Sequence, residues 1–508
     1  MNVKKENHKQ RAYLNSVTSI LDHGARQLTG FFVSPFIVKG LGSTFYGVYQ
    51  ILLELTGYAN IADTRSQVLK WTIARKRNIA SEEELRSEVT TGLAIMLLVL
   101  PIVLVAGGAL AWYAPSIAKI DEQYHQLVRI TASIMILGMI SYKANDLFES
   151  ILRGMNLGFK GIGVRSFIIV FSGGLKVSII LLGYGLIELA IVQVISGIFT
   201  SLAFYWIVKK NVPWFGFGET SFLKIRSYGK LSGWFFLSKI ANMALLHSEK
   251  VILGFLAGPE IVTFYVLTMF TSSAMKGIVD NVISGVIPGL GSFYGKEEYQ
   301  KIIDSTKLIN SIIYLFTFAI GGSIILFNRS FLFLWVGSEN YAGNLENLLI
   351  LFLTVQYIFF YTSSVIINVT LDLKRKVFIT LFASGISILL AFVLVRDYGI
   401  VGFCISFLIG RMVLSIGYPI ILKRKINDNS PLIKLDNVRQ SLFIVIAFGV
   451  GAYIQDYIEI NSWIYLVLFG GLSCVILFLV YWIFGLRKYQ RVILWDSVSK
   501  LKFFKIKE

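Results

Sequence analysis

The sequence predicts an all-α polytopic membrane protein: about fourteen transmembrane helices in two pseudo-symmetric six-helix lobes, followed by a C-terminal pair. Composition, the spacing of apolar runs and the placement of charge between those runs are the observations behind it. Of 508 residues, 55% are hydrophobic, 14% aromatic and 15% charged, and the mean hydropathy is +0.68. Soluble domains carry about 25% charged residues, so water is not the main solvent of this surface. A cytosolic enzyme is excluded, and no long polar stretch marks off a soluble domain.

A helix needs about 20 apolar residues to cross about 30 Å of hydrocarbon with its backbone groups satisfied internally. The first such run, 13 to 36, follows the basic start MNVKKENHKQR. It contains Asp22 and Arg26 and lacks a small-residue cleavage site after a compact apolar core, so it reads as a retained helix. Runs at 43 to 63, 89 to 112, 125 to 150, 164 to 184 and 186 to 207 complete a first lobe, residues 1–210. Runs at 231 to 254, 260 to 287, 308 to 328, 346 to 370, 377 to 395 and 400 to 421 form a second, residues 211–425. The last two, 440 to 456 and 463 to 485, belong to residues 426–508, which end in GLRKYQRVILWDSVSKLKFFKIKE. That tail alternates basic and apolar residues and suits an anionic inner leaflet.

Loop charge tests the count, because Lys and Arg gather on the cytoplasmic side of short loops. With both termini cytoplasmic, and charges near the edge of a run counted with the adjoining loop, 36 of the 48 Lys and Arg fall inside, five fall outside (Lys39, Lys119, Arg129, Arg329 and Arg396) and seven lie deeper within the runs. A wrong helix count would scramble that alternation. Most of the formal charge of +18 is therefore topology, and nucleic-acid binding is not indicated. External loops are short, the longest running roughly from Arg329 to Leu345, so no separate catalytic domain fits. Cys404 and Cys474 sit in apolar runs without ligand-like spacing to the four histidines, which points to no disulfide, no metal site and no cofactor.

A faint repeat supports the two lobes. Tyr184-Gly185-Leu186 and Tyr398-Gly399-Ile400 lie 214 apart; Gly42 and Tyr49 match Gly258 and Tyr265 at 216, as Lys160 matches Lys376. Six crossings is an even number, so the two copies share an orientation.

Ionisable residues at mid-membrane cost about 2.5 to 3.5 kcal/mol each on insertion scales, so each needs a partner or a purpose. Asp22 with Arg26, Lys143 with Asp146 and Lys276 with Asp280 can pair locally at three or four residues. Lys176, Lys239 and Arg411 have no carboxylate three or four positions away. Lys239 and Lys250, eleven residues apart on predicted helix 7, fall about 20° apart around one axis, with Met243 and Leu246 between them and Glu249 turned away. We expect a water-accessible cavity with positive walls at mid-membrane; the alternative is inter-helix salt bridges to Asp146, Glu149 or Glu249. A positive cavity takes an anion, and Lys and Arg together suit phosphate. No glycine-rich phosphate loop occurs, which argues against ATP as the fuel. Asp22, Asp146, Glu149, Glu249 and Asp280 are candidates for cation or proton coupling, and His247 beside Glu249 for a proton relay.

Three stretches carry a family resemblance. PFIVKGLGSTFYGVYQILLELTGYANIADT resembles the first hairpin of bacterial polysaccharide repeat-unit flippases, the Wzx-type branch of the multidrug/oligosaccharidyl-lipid/polysaccharide (MOP) exporter superfamily. HSEKVILGFLAGPEIVTFYVL is similar to their seventh and eighth helices, and FLFLWVGSENYAG to the external turn after the ninth. The resemblance spans residues 12 to 485. It implies a MATE-like fold with alternating access in the bacterial inner membrane. It also implies an undecaprenyl-diphosphate-linked oligosaccharide of the O-antigen or capsule type as substrate, with polymerase and chain-length machinery as partners. Arg26, Lys176, Lys239, Arg411 and Lys250 would line its cationic cavity. DTRSQ stands where relatives show a glycine-containing run, which leaves the role of Arg65 open. The rivals are a multidrug antiporter, which wants carboxylates facing a cationic drug, and a membrane glycosyltransferase or polymerase, which wants a large external loop.

Overall fold

The computed structural model describes residues 8–59, 65–77, 79–370, 373–431, 435–492 and 494–495. Among them every regular element is helical. The chain divides into two compact units, Met1–Thr263 and Phe264–Glu508.

In the first unit, α1 (His8–Ala59) is a hairpin folded at Gly42, whose φ of 80° and ψ of 167° break the helix. Twelve residues of straight helix span about 18 Å, yet the hydroxyls of Ser34 and Tyr46 meet at 3.2 Å across the turn. The positive φ favours a residue without a Cβ. Next come α2 (Arg65–Lys76), α3 (Glu82–Ile117), α4 (His125–Gly154), α5 (Gly158–Leu181), α6 (Leu186–Asn211), α7 (Phe222–Leu246), α8 (Glu249–Ala257) and the start of α9 (Pro259–Thr268). Helix α4 packs along α3 and α6, and α1 along α5.

The segment read as a loop between predicted helices 2 and 3 contains α2. Its Val68, Leu69 and Ile73 are buried, and Leu69 and Ile73 join Val89, Ile151, Phe204, Val208 and Trp214 in one apolar cluster. Ser81 then caps α3, its hydroxyl accepting from the Glu84 amide at 3.2 Å, the signature a Ser-x-x-Glu sequence leads one to expect. Buried Glu88 on α3 ties this end together, accepting from Lys76 of α2 at 2.9 Å, Lys224 of α7 at 2.8 Å and the Tyr228 hydroxyl. Burial opposes the Lys76 ammonium, but hydrogen bonds to Glu84 and Glu88 hold its pKa above the ordinary lysine value.

The second unit holds the rest of α9, then α10 (Phe270–Gly295), α11 (Tyr299–Trp335), α12 (Asn344–Thr370), α13 (Leu373–Lys425), α14 (Leu435–Ile454) and α15 (Trp463–Val480), which ends in one π-helical turn, Tyr481–Gly485. Helix α13 repeats the device of α1: it folds at Gly399, φ 51°. The Thr380 and Tyr418 hydroxyls, about 57 Å apart on a straight helix, meet at 2.6 Å.

Ten described helices are long and apolar enough to cross a membrane, and two bent pairs pass the test jointly. With each bent pair counted as one span the described residues give up to twelve, fewer than the fourteen runs the sequence predicts, while α1 and α13 each continue through a kink at Gly42 and Gly399. This is a multi-pass membrane protein. The backbone also carries the repeat: Gly258 (φ 93°, ψ 168°) has the geometry of Gly42 216 residues earlier. Gly399 finds its positive-φ counterpart in Gly183, also at 216, rather than in Gly185. Where the matching turns meet, Thr44 donates to Glu260 at 2.8 Å and Thr263 to the Ser43 carbonyl at 2.6 Å.

Candidate functional site

Three polar groupings lie inside the membrane-spanning helices of the first unit, and they compensate charge differently. The first joins α1, α4 and α5. Arg165 donates to Asp22 through Nε and Nη2, both at 3.0 Å, and to Glu149 through Nη1 at 2.9 Å. Arg26 adds a second bond to Asp22 at 3.0 Å and Arg153 one to Glu149 at 2.7 Å. Three of the sequence-predicted site residues, Arg26, Asp22 and Glu149, are thereby bound into one salt-bridged network. Arg165, at the edge of predicted helix 5 where it counted as loop charge, is its centre.

The second grouping surrounds Lys176 on α5, and its partners are neutral. The ammonium donates to Gln193 Oε1 at 2.8 Å and to the Tyr49 hydroxyl at 3.1 Å, with the Tyr49 ring centroid 5.8 Å away. Gln193 is itself oriented by donating to the Tyr142 hydroxyl at 2.8 Å. Tyr49 is 3% exposed, and Lys176 is half-buried. Among the described residues Lys176 meets no carboxylate, so its charge is solvated by dipoles alone. That arrangement leaves an anion free to bind without displacing a counterion.

The third joins the second arm of α1 to α8. Lys250 meets Glu54 at 3.0 Å and donates to Gln50 at 3.2 Å. His247 Nδ1 is 3.7 Å from the other Glu54 oxygen, while Tyr58 donates to the His247 carbonyl at 2.7 Å. Glu54 is the carboxylate sequence reasoning missed: no basic residue stands three or four positions from it, the same signal that singled out the lysines. The single cationic stripe from Lys239 to Lys250 does not form. A bend of 48° at His247-Ser248 separates α7 from α8, so the angular register of one continuous helix does not carry across. Lys239 is half-buried on α7, and Glu249 opens α8. Asp146 lies on α4 one turn from buried Lys143.

In the second unit, α10, α12 and α13 converge on Tyr357. The Lys276 ammonium lies 3.9 Å from its ring centroid, and the charges of Asp280 and Arg411 both act on the Tyr357 hydroxyl. Arg411 is 2% exposed, with its guanidinium carbon 5.2 Å from the Phe407 ring. Tyr361 stacks on Tyr357 at 5.2 Å. Asp280 and Arg411, 131 residues apart in sequence, thus share one aromatic-walled site with Lys276. No described group of three or more His, Cys, Asp or Glu is arranged to hold a metal ion. Arg65 has a described backbone, at the start of α2, but its side chain lies outside the description, as do residues 1–7, 493 and 496–508 with the two ends of the chain.

No family model matches the chain. A curated relative from Shigella flexneri, named "Putative O-antigen transporter", is 23% identical over 355 residues, covering 66% of this chain and 79% of the relative. Among solved structures, the lipid II flippase MurJ in an inward closed conformation superposes with a TM-score of 0.69 at 14% identity, over 92% of this chain and 98% of that one. An inward-facing multidrug resistance MATE family transporter of the MOP superfamily gives 0.60 at 16% identity, over 80% and 96%. Its outward-facing counterpart gives 0.55 at 18%, over 83% and 97%. Folded glycine hairpins and these superpositions agree: the chain shares its fold with the lipid II flippase MurJ and with MATE family transporters.

Proposed function

We propose that the protein is a flippase for a lipid-linked oligosaccharide, turning an undecaprenyl-diphosphate-linked polysaccharide repeat unit across the bacterial inner membrane by alternating access. The observation that carries the reading is Lys176: a cation within a membrane helix, held by Tyr49 and Gln193 with no carboxylate beside it among the described residues. An anionic headgroup supplies the missing counterion. The relative named as an O-antigen transporter supports a substrate of this class.

In this mechanism the diphosphate binds Lys176 directly and draws Lys250 from Glu54 by competing for its ammonium. Within the second unit, Arg411 and Lys276 near Tyr357 are that unit's own candidate cations for an anionic substrate. Sugars occupy a wet cavity while the prenyl tail stays in lipid, and no bond is made or broken. Both termini face the cytoplasm, and polymerase and chain-length proteins act on the product. A MATE-like cation antiporter is the second reading, favoured by Asp280 in the Tyr357 site.

Replacing Lys176 or Arg411 by Ala abolishes surface polysaccharide in the producing strain while membrane-inserted protein stays at wild-type level. Normal polymer from both variants overturns the reading. Loss of drug resistance with polymer intact selects the antiporter.

A further inference from the structure

Beyond the end of α11 the second unit carries a cavity of about 660 Å³, lined by residues of the loop that follows α11 and of the loop that joins α14 to α15. None of these residues belongs to the sites above. The volume lies within the range of small-ligand sites, about 300–1,000 Å³. Its walls are pinned from within. The Tyr341 hydroxyl donates to Asn344 Oδ1 at 2.9 Å, and the Asn344 amide donates in turn to Asp456. Arg329 lies 3.6 Å from the same carboxylate, and the Ile460 amide donates to the Ser330 hydroxyl at 3.3 Å. These bonds tie both loops to the ends of α11 and α12, so the cavity is formed without a ligand.

The polar groups left unused decide what it takes. Seven of the eleven lining residues carry polar side chains. Three of the seven, Ser338, Glu459 and Asn461, are exposed and have no side-chain hydrogen-bond partner among the described residues. A hydroxyl, a carboxylate and an amide supply donors and acceptors side by side. Phe333, 48% exposed, adds an aromatic ring to the wall. An apolar ligand would desolvate those polar groups and pair none of them. An inorganic anion finds a single guanidinium, Arg329, already beside Asp456 and opposed by the further carboxylate of Glu459. A sugar suits the whole lining: its adjacent hydroxyls each donate and accept, and the C–H face of its ring packs on an aromatic side chain.

We propose that this cavity binds the oligosaccharide portion of the substrate, at the end of the unit that loop charge assigns to the outer face. The identity of the sugar rests on the flippase reading, and its place rests on the cavity.

Saturation-transfer NMR of the detergent-solubilised full chain tests it with the repeat-unit oligosaccharide released from the producing strain's surface polysaccharide, free of its lipid. Wild type transfers magnetisation to the sugar ring protons, and inorganic diphosphate does not compete. S338A/N461A, which removes two exposed side chains that brace nothing in the fold, and Glu459→Gln each weaken binding about tenfold or more at an unchanged melting temperature. A wild type without transfer, displacement of the sugar by inorganic diphosphate, or variants that bind like wild type would overturn the proposal. The flippase reading is judged apart from it, because the Lys176 and Arg411 variants are scored by surface polymer and the probe carries no diphosphate.

Discussion

Arg165 and Lys176 stand on the same face of the same helix, eleven residues apart, which is about 16 Å along the axis and about 20° around it. Their surroundings are opposite. Arg165 is held by two carboxylates, Asp22 and Glu149, whereas Lys176 is held by a phenol and an amide. The comparison separates two uses of charge in a membrane. A cation with fixed counterions ties helices together and has little left to offer a ligand. A cation solvated by neutral dipoles is stable enough to fold and still gains from a mobile anion. Lys250 is intermediate: among the described residues it is paired with a single carboxylate, Glu54.

The largest effect comes from breaking the structural side of that comparison. Arg165→Gln leaves Asp22 and Glu149 short of positive charge in a site where all three side chains are at most 16% exposed. Removing one partner from a buried ion network costs about 3 kcal/mol or more. The detergent-solubilised variant melts well below wild type and accumulates poorly in the membrane. An unchanged melting temperature would mean the network is ornamental.

Lys176→Gln probes the other side. The amide keeps hydrogen-bonding capacity toward Tyr49 and Gln193, so the melting temperature stays near wild type. Binding of a diphosphate lipid falls about ten- to hundredfold, the worth of one charge-assisted contact. Equal binding, measured by titration calorimetry, removes Lys176 from the site.

The Glu54–Lys250 pair sharpens the contrast, because here the two substitutions act in opposite directions. Lys250→Gln weakens diphosphate-lipid binding by less than Lys176→Gln does, since the wild-type lysine must first leave Glu54. Glu54→Gln frees the lysine and tightens binding about three- to tenfold. A Glu54→Gln protein that binds more weakly than wild type would show that the carboxylate positions the site instead of competing for it.

How much of this the sequence could reveal depends on the range of each interaction. The hairpin turns at Gly42 and Gly399 and the alternation of loop charge are local features, read from composition and spacing. So was the standing of Lys176, because the absence of a nearby carboxylate is itself local. Glu54 and Lys250 are 196 residues apart, and no periodicity connects them, although the test for isolated lysines would have flagged Glu54 had it been applied to carboxylates. The break between α7 and α8 left a weaker trace. Ser248 followed by Glu249 is a helix-start signal, overridden by the apolar run around it. Tyr357 was one aromatic among 63 Phe and Tyr, and only the packing of three helices singles it out.

The smallest effect belongs to Arg26, which the sequence placed among the substrate-binding cations. Its side chain is 55% exposed and its partner Asp22 keeps two bonds from Arg165 when it is removed. An exposed ion pair contributes about 0.5 kcal/mol, so Arg26→Ala shifts the melting temperature by no more than about 2 °C. Its effect on lipid binding decides between two roles for the same exposed guanidinium. If the arginine only decorates the Asp22 network, binding is unchanged. If it reaches the headgroup, binding falls while the melting temperature holds. A variant as unstable as Arg165→Gln would refute both, and would move the centre of the network from α5 to α1.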